Sequence, residues 1–316
     1  MTPRIRPADW LIAGYNAVLA LLWSQLWDQA WYAPWICAAH SAAALLPALF
    51  ARSSTARPGA GKPMAALRGA YPLVWLLSFW TELGLLHPLG GSAGNDPLVA
   101  GLDLALFGDH LNLIWMPAMP QLWFSELMHL IYFAYYPLIF LPPILMGISG
   151  RSEALTDITF RLMVTYLGCY LFYLAFPVIG PATLMPSYDG PLTQGFFYQL
   201  THHARDAGDS LGTAFPSSHV AGSVTIAIVA WIWLSPRIAG VVTAEAMGVV
   251  FATVYTQNHY AIDALAGIVW AVLLQVAVVP VLLWLLSPAQ VEAPVPILPG
   301  LMGPSWPEPA TTGGGS

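Results

Sequence analysis

The residues Gly-Thr-Ala-Phe-Pro-Ser-Ser-His at positions 212–219 lie where a polar loop runs into a long apolar segment. Pro216 is well suited to a helix start, and Ser217 or Ser218 can accept hydrogen bonds from the unpaired N–H groups there. The N-terminus of a helix attracts anions, because its free N–H groups and its dipole point toward them. His219 would lie in the first turn of this helix. The stretch therefore predicts a phosphate-binding helix start with a histidine able to give or take a proton.

Forty residues after His219 comes His259, in a second polar cluster at positions 257–263. His259 and Asp263 are four residues apart, so they share one face if a helix has begun. A carboxylate that accepts from one imidazole nitrogen fixes the tautomer and leaves the other nitrogen free as a nucleophile. The cluster therefore predicts a histidine nucleophile with its orienting acid. Five neighbours in the two clusters are candidate phosphate ligands: Ser217, Ser218, Gln257, Asn258 and Tyr260.

The composition predicts an integral membrane protein. The chain has 316 residues, of which 57% are hydrophobic and only 8% are charged. A soluble domain carries about 25% charged residues, so this chain cannot present a solvated surface on all sides. No basic patch indicates nucleic-acid binding, and membrane lipids are the expected partners.

Eight apolar segments are long enough to cross a membrane, which needs roughly 20 residues per helix. They predict an all-α membrane protein with about eight spans. The predicted spans are residues 9–27, 31–51, 69–89, 124–147, 158–180, 217–235, 238–257 and 260–286.

The basic residues predict the orientation, because Lys and Arg concentrate in cytoplasmic loops. With eight spans, nine of the ten basic residues fall on one side, and only Arg205 falls on the other. Both polar clusters then lie at the outer face, periplasmic or lumenal, and both chain termini lie in the cytoplasm. The nine residues are Arg4, Arg6, Arg52, Arg57, Lys62, Arg68, Arg151, Arg161 and Arg237.

The same topology brings the two clusters together. One span runs inward from His219 and the next returns outward to His259, so both histidines reach the same membrane face. This arrangement predicts a phosphoryl-transfer site with a nucleophile, its orienting acid and a separate proton donor. Neither cluster is specific alone, but the conjunction of Pro-Ser-Ser-His, the two-span spacing and His-Tyr-x-x-Asp is much more so.

Four regions are predicted along the chain. Residues 1–51 form a transmembrane hairpin, and residues 52–68 form a short basic cytoplasmic linker. Residues 69–286 form a catalytic membrane domain of six helices. Residues 287–316 are rich in Pro and lack periodicity, which is typical of a disordered tail, and the final Gly-Gly-Gly-Ser is typical of an engineered linker.

Three further side chains are candidate substrate ligands. Arg205 is the candidate phosphate clamp, because a guanidinium matches phosphate geometry in a bidentate manner. It could instead pair with Asp206 or Asp209 and have a structural role. Glu126, near the outer end of span four, could line the site or serve in packing. Asp103, in a short interfacial helix, could line the site or cap a helix.

The two clusters resemble the second and third motifs of the type 2 phosphatidic acid phosphatase superfamily, whose members have a six-helix membrane fold. The resemblance covers roughly residues 69–286 and leaves the first two spans outside. It implies His259 as a nucleophile that forms a phosphohistidine, Asp263 as its partner, and His219 as general acid for the leaving group. It also implies that no metal is needed.

Two features of the superfamily's phosphatases are absent. Their first motif, Lys/Arg-Pro, is not found, and Thr253 stands where they carry an Arg six residues before the third-motif His. The chain is more similar to the inositol phosphorylceramide synthase and sphingolipid synthase branch. Its Gly-Pro-Arg after span five is nevertheless Gly-Pro-Ala here, ending at Ala182. Three stretches carry the similarity: Asp103-x-x-Leu106-Phe107-Gly108, residues 212–219, and Thr253-Val254-Tyr255 leading to His259-Tyr260-x-x-Asp263.

That branch implies transfer of a phosphorylated head group, for example phosphoinositol, from a phospholipid to a lipid alcohol such as ceramide or diacylglycerol. One cation and helix N–H groups suit a phosphodiester, with one negative charge, better than a monoester with nearly two. A lipid phosphatase of the same superfamily, with water as acceptor, is the main alternative. A lipid transporter with incidental histidines is a remote one.

No metal or other cofactor is predicted. The adjacent histidines His202 and His203 could suggest a metal, but no acid or cysteine shows matching ligand spacing. The sequence does not identify the head group, the acceptor or the oligomeric state.

Overall fold

A computed structural model describes residues 5–53, 62–87 and 94–286. Within these ranges the chain is helical and contains no strand. The predicted tail, residues 287–316, lies outside the described residues, as does the middle of the predicted linker, residues 54–61. The rest of that linker lies in the helices on either side of it.

The helices follow one another along the chain with short connections. A turn of 3-10 helix, Pro191–Gln194, precedes α9, and a π-helical turn, Leu274–Val278, joins α12 to α13. The α-helices are α1 (Pro7–Gln25), α2 (Ala33–Ser53), α3 (Lys62–Leu86), α4 (Asp96–Phe107), α5 (Leu111–Ala118), α6 (Leu122–Ile148), α7 (Ser152–Ala175), α8 (Pro181–Leu184), α9 (Phe196–Gly208), α10 (Ser218–Trp233), α11 (Pro236–Tyr255), α12 (Ala261–Leu273) and α13 (Val279–Leu286).

Every predicted span coincides with a helix, namely α1, α2, α3, α6, α7, α10, α11 and the continuous α12–α13. Four of these are both long and apolar enough to cross a membrane: α6, α7, α11 and α12–α13. The helix pair α4–α5 is bent by 56° and is a broken span or a re-entrant segment by length and composition, whereas α10 is apolar but shorter. The chain is therefore an integral membrane protein, and the count of eight crossings stays a prediction.

Helix α7 lies at the centre of the bundle. It packs against α1, α3, α6 and α10, and nearly all of its middle turns are buried. Its side chains belong to the main apolar core together with residues of α1, α3 and α6. A helix that is apolar all round is expected at such a position. The core thus holds α3 and α10 in fixed places against α7.

Two glycines allow α10 to approach its neighbours closely. A Cβ added at Gly222 would overlap the Tyr166 hydroxyl of α7, and one added at Gly267 of α12 would lie 2.7 Å from the Ser217 carbonyl oxygen. Small residues at helix contacts permit such short separations. Gly267 therefore sets how near α12 comes to the start of α10, where the first polar cluster lies.

A buried polar network attaches the N-terminal hairpin to α3. The Glu82 carboxylate accepts hydrogen bonds from the Trp23 indole and, at 2.9 Å, from the Nε2 of His40. The Nδ1 of His40 lies 2.7 Å from the Asn16 Oδ1. A carboxylate inside a membrane is costly unless it is paired. These contacts satisfy Glu82 and hold α1 and α2 against α3.

We predict that Gly267→Ala destabilises the protein by about 1–3 kcal/mol, the usual cost of overpacking a tight contact. The added methyl group would meet the Ser217 carbonyl, part of a backbone that cannot move aside easily. Thermal unfolding in detergent measures the effect. Gly240→Ala in α11 is the matched control, because nothing lies within 4 Å of its Cβ position and alanine favours helix over glycine. Equal melting temperatures for the two variants would contradict the close approach of α12.

Candidate active site

The two polar clusters meet at the starts of α10 and α12. The Ser217 N–H donates to the Asp263 carbonyl at 3.0 Å, which joins the residue before α10 to the first turn of α12. Ser217 is the N-cap of α10, and its hydroxyl accepts from the Val220 N–H at 3.4 Å. The helix therefore begins at Ser218, because the Ser217 hydroxyl caps it. This start is two residues later than one at Pro216.

His259 and Asp263 form a pair, although the helix has not yet begun at His259. The chain turns at Gln257, whose φ is +61°, and α12 begins only at Ala261. The His259 Nδ1 nevertheless lies 3.3 Å from the Asp263 Oδ2, which also accepts from the Tyr260 N–H at 2.9 Å. Asp263 is fully buried. Its carboxylate therefore orients the imidazole and closes the start of α12, and it leaves the other ring nitrogen, Nε2, for chemistry.

His219 lies in the first turn of α10 against tyrosines of α6. Its Nε2 is 3.2 Å from the Tyr132 hydroxyl, and the two rings stack with centroids 4.9 Å apart. The Tyr135 ring centroid is 4.4 Å away. The Nδ1 of His219 is buried without a partner among the described residues. The ring centroids of His219 and His259 are 5.8 Å apart, so the predicted proton donor and nucleophile are neighbours.

A cavity of about 290 Å³, here called the polar cavity, is lined by both histidines. One bound group can therefore contact His219 and His259 together. Three more of the predicted ligands line the same cavity: Arg205, Ser218 and Asn258. Since Ser218 and His219 belong to the first turn of α10, the positive end of that helix dipole lies at the cavity wall. The remaining polar side chains on the wall are Tyr132, Thr183, Asp206, Asp209, Ser210 and Thr213, with Trp80 beside them.

Charges of both signs line the polar cavity. Arg205 pairs with Asp206 at 3.1 Å between Nη2 and Oδ1, so the pairing considered from the sequence is present. Among the described residues of the wall, Arg205 is the only Lys or Arg, while Asp206 and Asp209 supply two carboxylates. Limited contact with water raises the pKa of Asp209 above its usual value, although His259 and Arg205 act in the opposite direction. A wall with one guanidinium and two carboxylates favours an anion of low charge.

Asp103 lies outside the polar cavity and holds the start of α12. It is fully buried, its Oδ1 accepts from the Ile262 N–H at 3.0 Å, and its Oδ2 accepts from the His110 Nδ1 at 3.0 Å. Ile262 immediately precedes Asp263. Both carboxylate oxygens have protein partners, so the capping alternative describes Asp103 better than a substrate contact does.

Glu126 also lies outside the polar cavity and caps α9. Its Oε2 accepts from the Phe197 N–H at 3.0 Å, and its Oε1 accepts from the Tyr198 N–H at 3.2 Å. A carboxylate is favourable at a helix N-terminus, where amides are unpaired. Arg205 belongs to α9 and lines the polar cavity. By capping α9, Glu126 therefore helps to position the Arg205 guanidinium.

Three other predicted ligands bind protein groups and do not line the polar cavity. The Gln257 Oε1 accepts from the Tyr188 N–H at 2.7 Å. Tyr260 is 2% exposed and its ring centroid lies 5.7 Å from that of His110. Ser217 caps α10, as described above. We therefore regard these residues as supports of the site.

The sequence did not single out Trp80 or the tyrosines Tyr132 and Tyr135 as site residues. The tyrosines had a usable signal, because their spacing places them on one face of α6. Trp80 had no such signal, because its contacts are with distant residues at the end of α9 and just after it. Its indole donates to the Gly208 carbonyl at 2.7 Å, and its own carbonyl accepts from the Ser210 hydroxyl at 2.8 Å.

A second cavity of about 490 Å³, here called the apolar cavity, adjoins the polar one. Leucine and aromatic side chains of α3, α6 and α7 form most of its wall. Leu77 on that wall is 55% exposed, so the cavity is open to the surroundings of the bundle. Six residues line both cavities: Trp80, Tyr132, Arg205, Asp209, Ser218 and His219. The two cavities together suit a molecule with a polar head and an apolar tail.

Comparison with protein families matches residues 98–277 to the model of the PAP2 superfamily. The chain belongs to the PAP2 superfamily. The match contains both polar clusters, and it confirms the superfamily recognised from the motifs. Membership supports an enzyme of the phosphatase or phosphotransferase type that acts on lipids. The match begins within α4, so α1, α2 and α3 precede it. The searches of curated proteins and of solved structures yield no match.

We predict that Asp103→Leu lowers the turnover of a phosphate ester by on the order of tenfold, because a hydrogen bond to a charged group is worth about 1.5–3 kcal/mol and its loss would release the start of α12. Asp103→Asn keeps an acceptor for the Ile262 N–H and should lose less. Asp189→Leu, an exposed change in the loop after α8, is the control. Steady-state rates of the three variants decide the matter, and an Asp103→Leu variant as active as the control would refute the positioning role.

Proposed function

We propose that this chain is a lipid phosphotransferase that acts through a phosphohistidine at His259. The observation that carries the proposal is the pair of histidines on one polar cavity that adjoins an apolar one. In this proposal the phosphate of a phospholipid lies between His219 and His259, and an acyl chain lies along α3 and α6. The resemblance to the inositol phosphorylceramide synthase and sphingolipid synthase branch supports transfer to a lipid alcohol.

The first step forms one bond and breaks another. The His259 Nε2 attacks phosphorus, the bond from phosphorus to the diacylglycerol oxygen breaks, and protonated His219 gives its proton to that oxygen. Asp263, at 3.3 Å from the His259 Nδ1, stabilises the positive imidazole ring. Such a carboxylate–histidine pair orients and activates the nucleophile.

The second step reverses these roles. The hydroxyl of the acceptor lipid gives its proton to His219 and attacks phosphorus, and the bond from phosphorus to His259 breaks. Both steps use only side chains of this chain, so we propose that neither requires a metal. General acid–base catalysis of this kind contributes roughly 10²–10⁴-fold to a rate.

The charge balance favours a diester. A phosphodiester brings one negative charge to a wall that holds Arg205, the first turn of α10 and the carboxylates of Asp206 and Asp209. A monoester would bring nearly two charges close to the same carboxylates. Like charges at short range are unfavourable. The phosphatase alternative, which would act on phosphatidic acid, therefore fits this wall less well.

The membrane side is part of the proposal. The distribution of basic residues supports a polar cavity at the periplasmic or lumenal face, with both termini in the cytoplasm. Superfamily membership favours an enzyme over the transporter alternative.

We predict that a phospholipid labelled in its phosphate transfers that label to the protein, on His259, in the presence of a chelator. The full-length chain is incubated briefly with labelled phosphatidylinositol, phosphatidylcholine or phosphatidylethanolamine, quenched in alkali and mapped by mass spectrometry. His259→Ala should carry no label and should lose at least about 10³-fold in rate, as expected when a covalent nucleophile is removed. Label on another residue, or full activity of His259→Ala, would refute the assignment.

His219→Ala provides the companion measurement. It should slow cleavage of the phospholipid strongly but should slow a nitrophenyl phosphodiester much less, because a good leaving group needs little protonation. Equal losses on both substrates would remove His219 from the role of acid.

We predict that an added lipid alcohol, ceramide or diacylglycerol, diverts the phosphorylated head group into a new lipid. Products are measured by mass spectrometry of lipid extracts with and without the alcohol. Head-group transfer without release of inorganic phosphate supports the phosphotransferase. Release of inorganic phosphate from phosphatidic acid, with no new lipid under any condition, would favour the phosphatase.

A further inference from the structure

A third cavity of about 250 Å³, here called the side cavity, lies between α1, α3 and the end of α7. Its wall is mostly apolar. Helix α1 contributes Leu22 and Gln25, its C-cap residue is Leu26, and α3 contributes Leu83 and Leu86. The function described above does not use this cavity. Helices α1 and α3, which form one part of its wall, precede the part of the chain that matches the superfamily model.

The side cavity adjoins the polar cavity. Leu211 and Thr213 line both. Between them, Gly212 has a φ of +83° and passes so close to His87 that a Cβ there would lie 2.5 Å from the imidazole Nδ1. The polar cavity therefore has an apolar neighbour on each of two sides, one reached past His219 and the other past Thr213.

Helix α3 takes part in both apolar walls. The more N-terminal of its lining residues, from Leu73 to Thr81, face the apolar cavity, whereas Leu83 and Leu86 line the side cavity. Trp80, near the boundary, is hydrogen-bonded to Gly208 at the end of α9 and to Ser210, which lines the polar cavity. A head group in the polar cavity could thus extend one chain to each side of this contact.

Two groups compete as occupants of the side cavity: the acceptor alcohol and a second acyl chain of the donor lipid. The geometry of phosphoryl transfer decides between them. In an in-line displacement the attacking and leaving atoms lie on opposite sides of phosphorus. The acceptor oxygen must attack opposite the His259 nitrogen, and so must take the place that the leaving oxygen has vacated near His219. The acceptor alcohol then succeeds the leaving alcohol in one position and needs no second site of its own. By contrast, a second acyl chain of the donor lipid needs a site of its own.

We propose that the side cavity holds the second acyl chain of a two-chain phospholipid whose first chain lies in the apolar cavity. The inference rests on the proposed function and specifies its substrate class: a diacyl donor is preferred over its one-chain analogue. This preference depends on the side-cavity wall that α1 and α3 help to form.

The test compares a phosphatidyl donor with the lysophosphatidyl donor of the same head group, taken from the panel above, at equal surface concentration in mixed micelles. Leu22→Trp fills the side cavity from α1, and Leu86→Trp fills it from α3. Leu21→Trp and Leu85→Trp are matched controls, since these adjacent side chains are 61% and 44% exposed. The measured quantity is kcat/KM for each donor.

We expect the unaltered protein to prefer the two-chain donor. Each filling variant should lower kcat/KM for that donor by about tenfold, a usual effect of a lost apolar contact in a pocket, and should leave the one-chain donor within about twofold. The two controls should resemble the unaltered protein. Two filling positions on different helices guard against a variant that fails to fold.

Several results would overturn the inference: equal losses for both donors, no loss for either, or no preference in the unaltered protein. A rise confined to the KM of the acceptor alcohol would assign the side cavity to the acceptor instead. If the unaltered protein formed no His259 adduct with any donor, the proposed function itself would fall, and this inference with it. The adduct assay therefore separates the two failures.

Discussion

The site depends on the docking of two helix starts against each other. The Ser217 N–H donates to the Asp263 carbonyl, and Gly267 leaves room for the Ser217 carbonyl beneath it. Through this contact the first turn of α10, which carries His219, is fixed relative to the turn that carries His259. Along the chain, the two segments are separated by the full lengths of α10 and α11. Central packing by α7 and the capping of α12 by Asp103 support the same contact.

Much of this arrangement could be predicted from the sequence. Long apolar segments predicted a helix at the position of each span, because the cost of unpaired backbone groups in a membrane leaves few alternatives. The two-span spacing placed His219 and His259 at one face, and the structure brings them within 5.8 Å, centroid to centroid. Local chemistry also predicted the pairing of His259 with Asp263, although they meet across a helix start.

What could not be predicted is the contribution of distant parts of the chain. For Asp103 and Glu126 the sequence left both a ligand role and a structural role open, because a carboxylate that caps a remote helix has no local signature. Trp80 positions a loop that follows it by more than a hundred residues. Cavities likewise arise from the packing of α1, α3, α6 and α7 together, and neither their size nor their common walls can be read from periodicity. The contribution of the N-terminal helices α1 and α3 to the side cavity follows only from that packing.

The stereochemical course at phosphorus tests the central claim most directly. A donor phosphodiester made chiral at phosphorus, for example with one sulfur, is converted by the full-length protein, and the configuration of the transferred group is determined by NMR. Two successive in-line displacements, first by His259 and then by the acceptor, predict retention of configuration, since each displacement inverts the phosphorus. Inversion would show a single direct displacement and would contradict a phosphohistidine at His259.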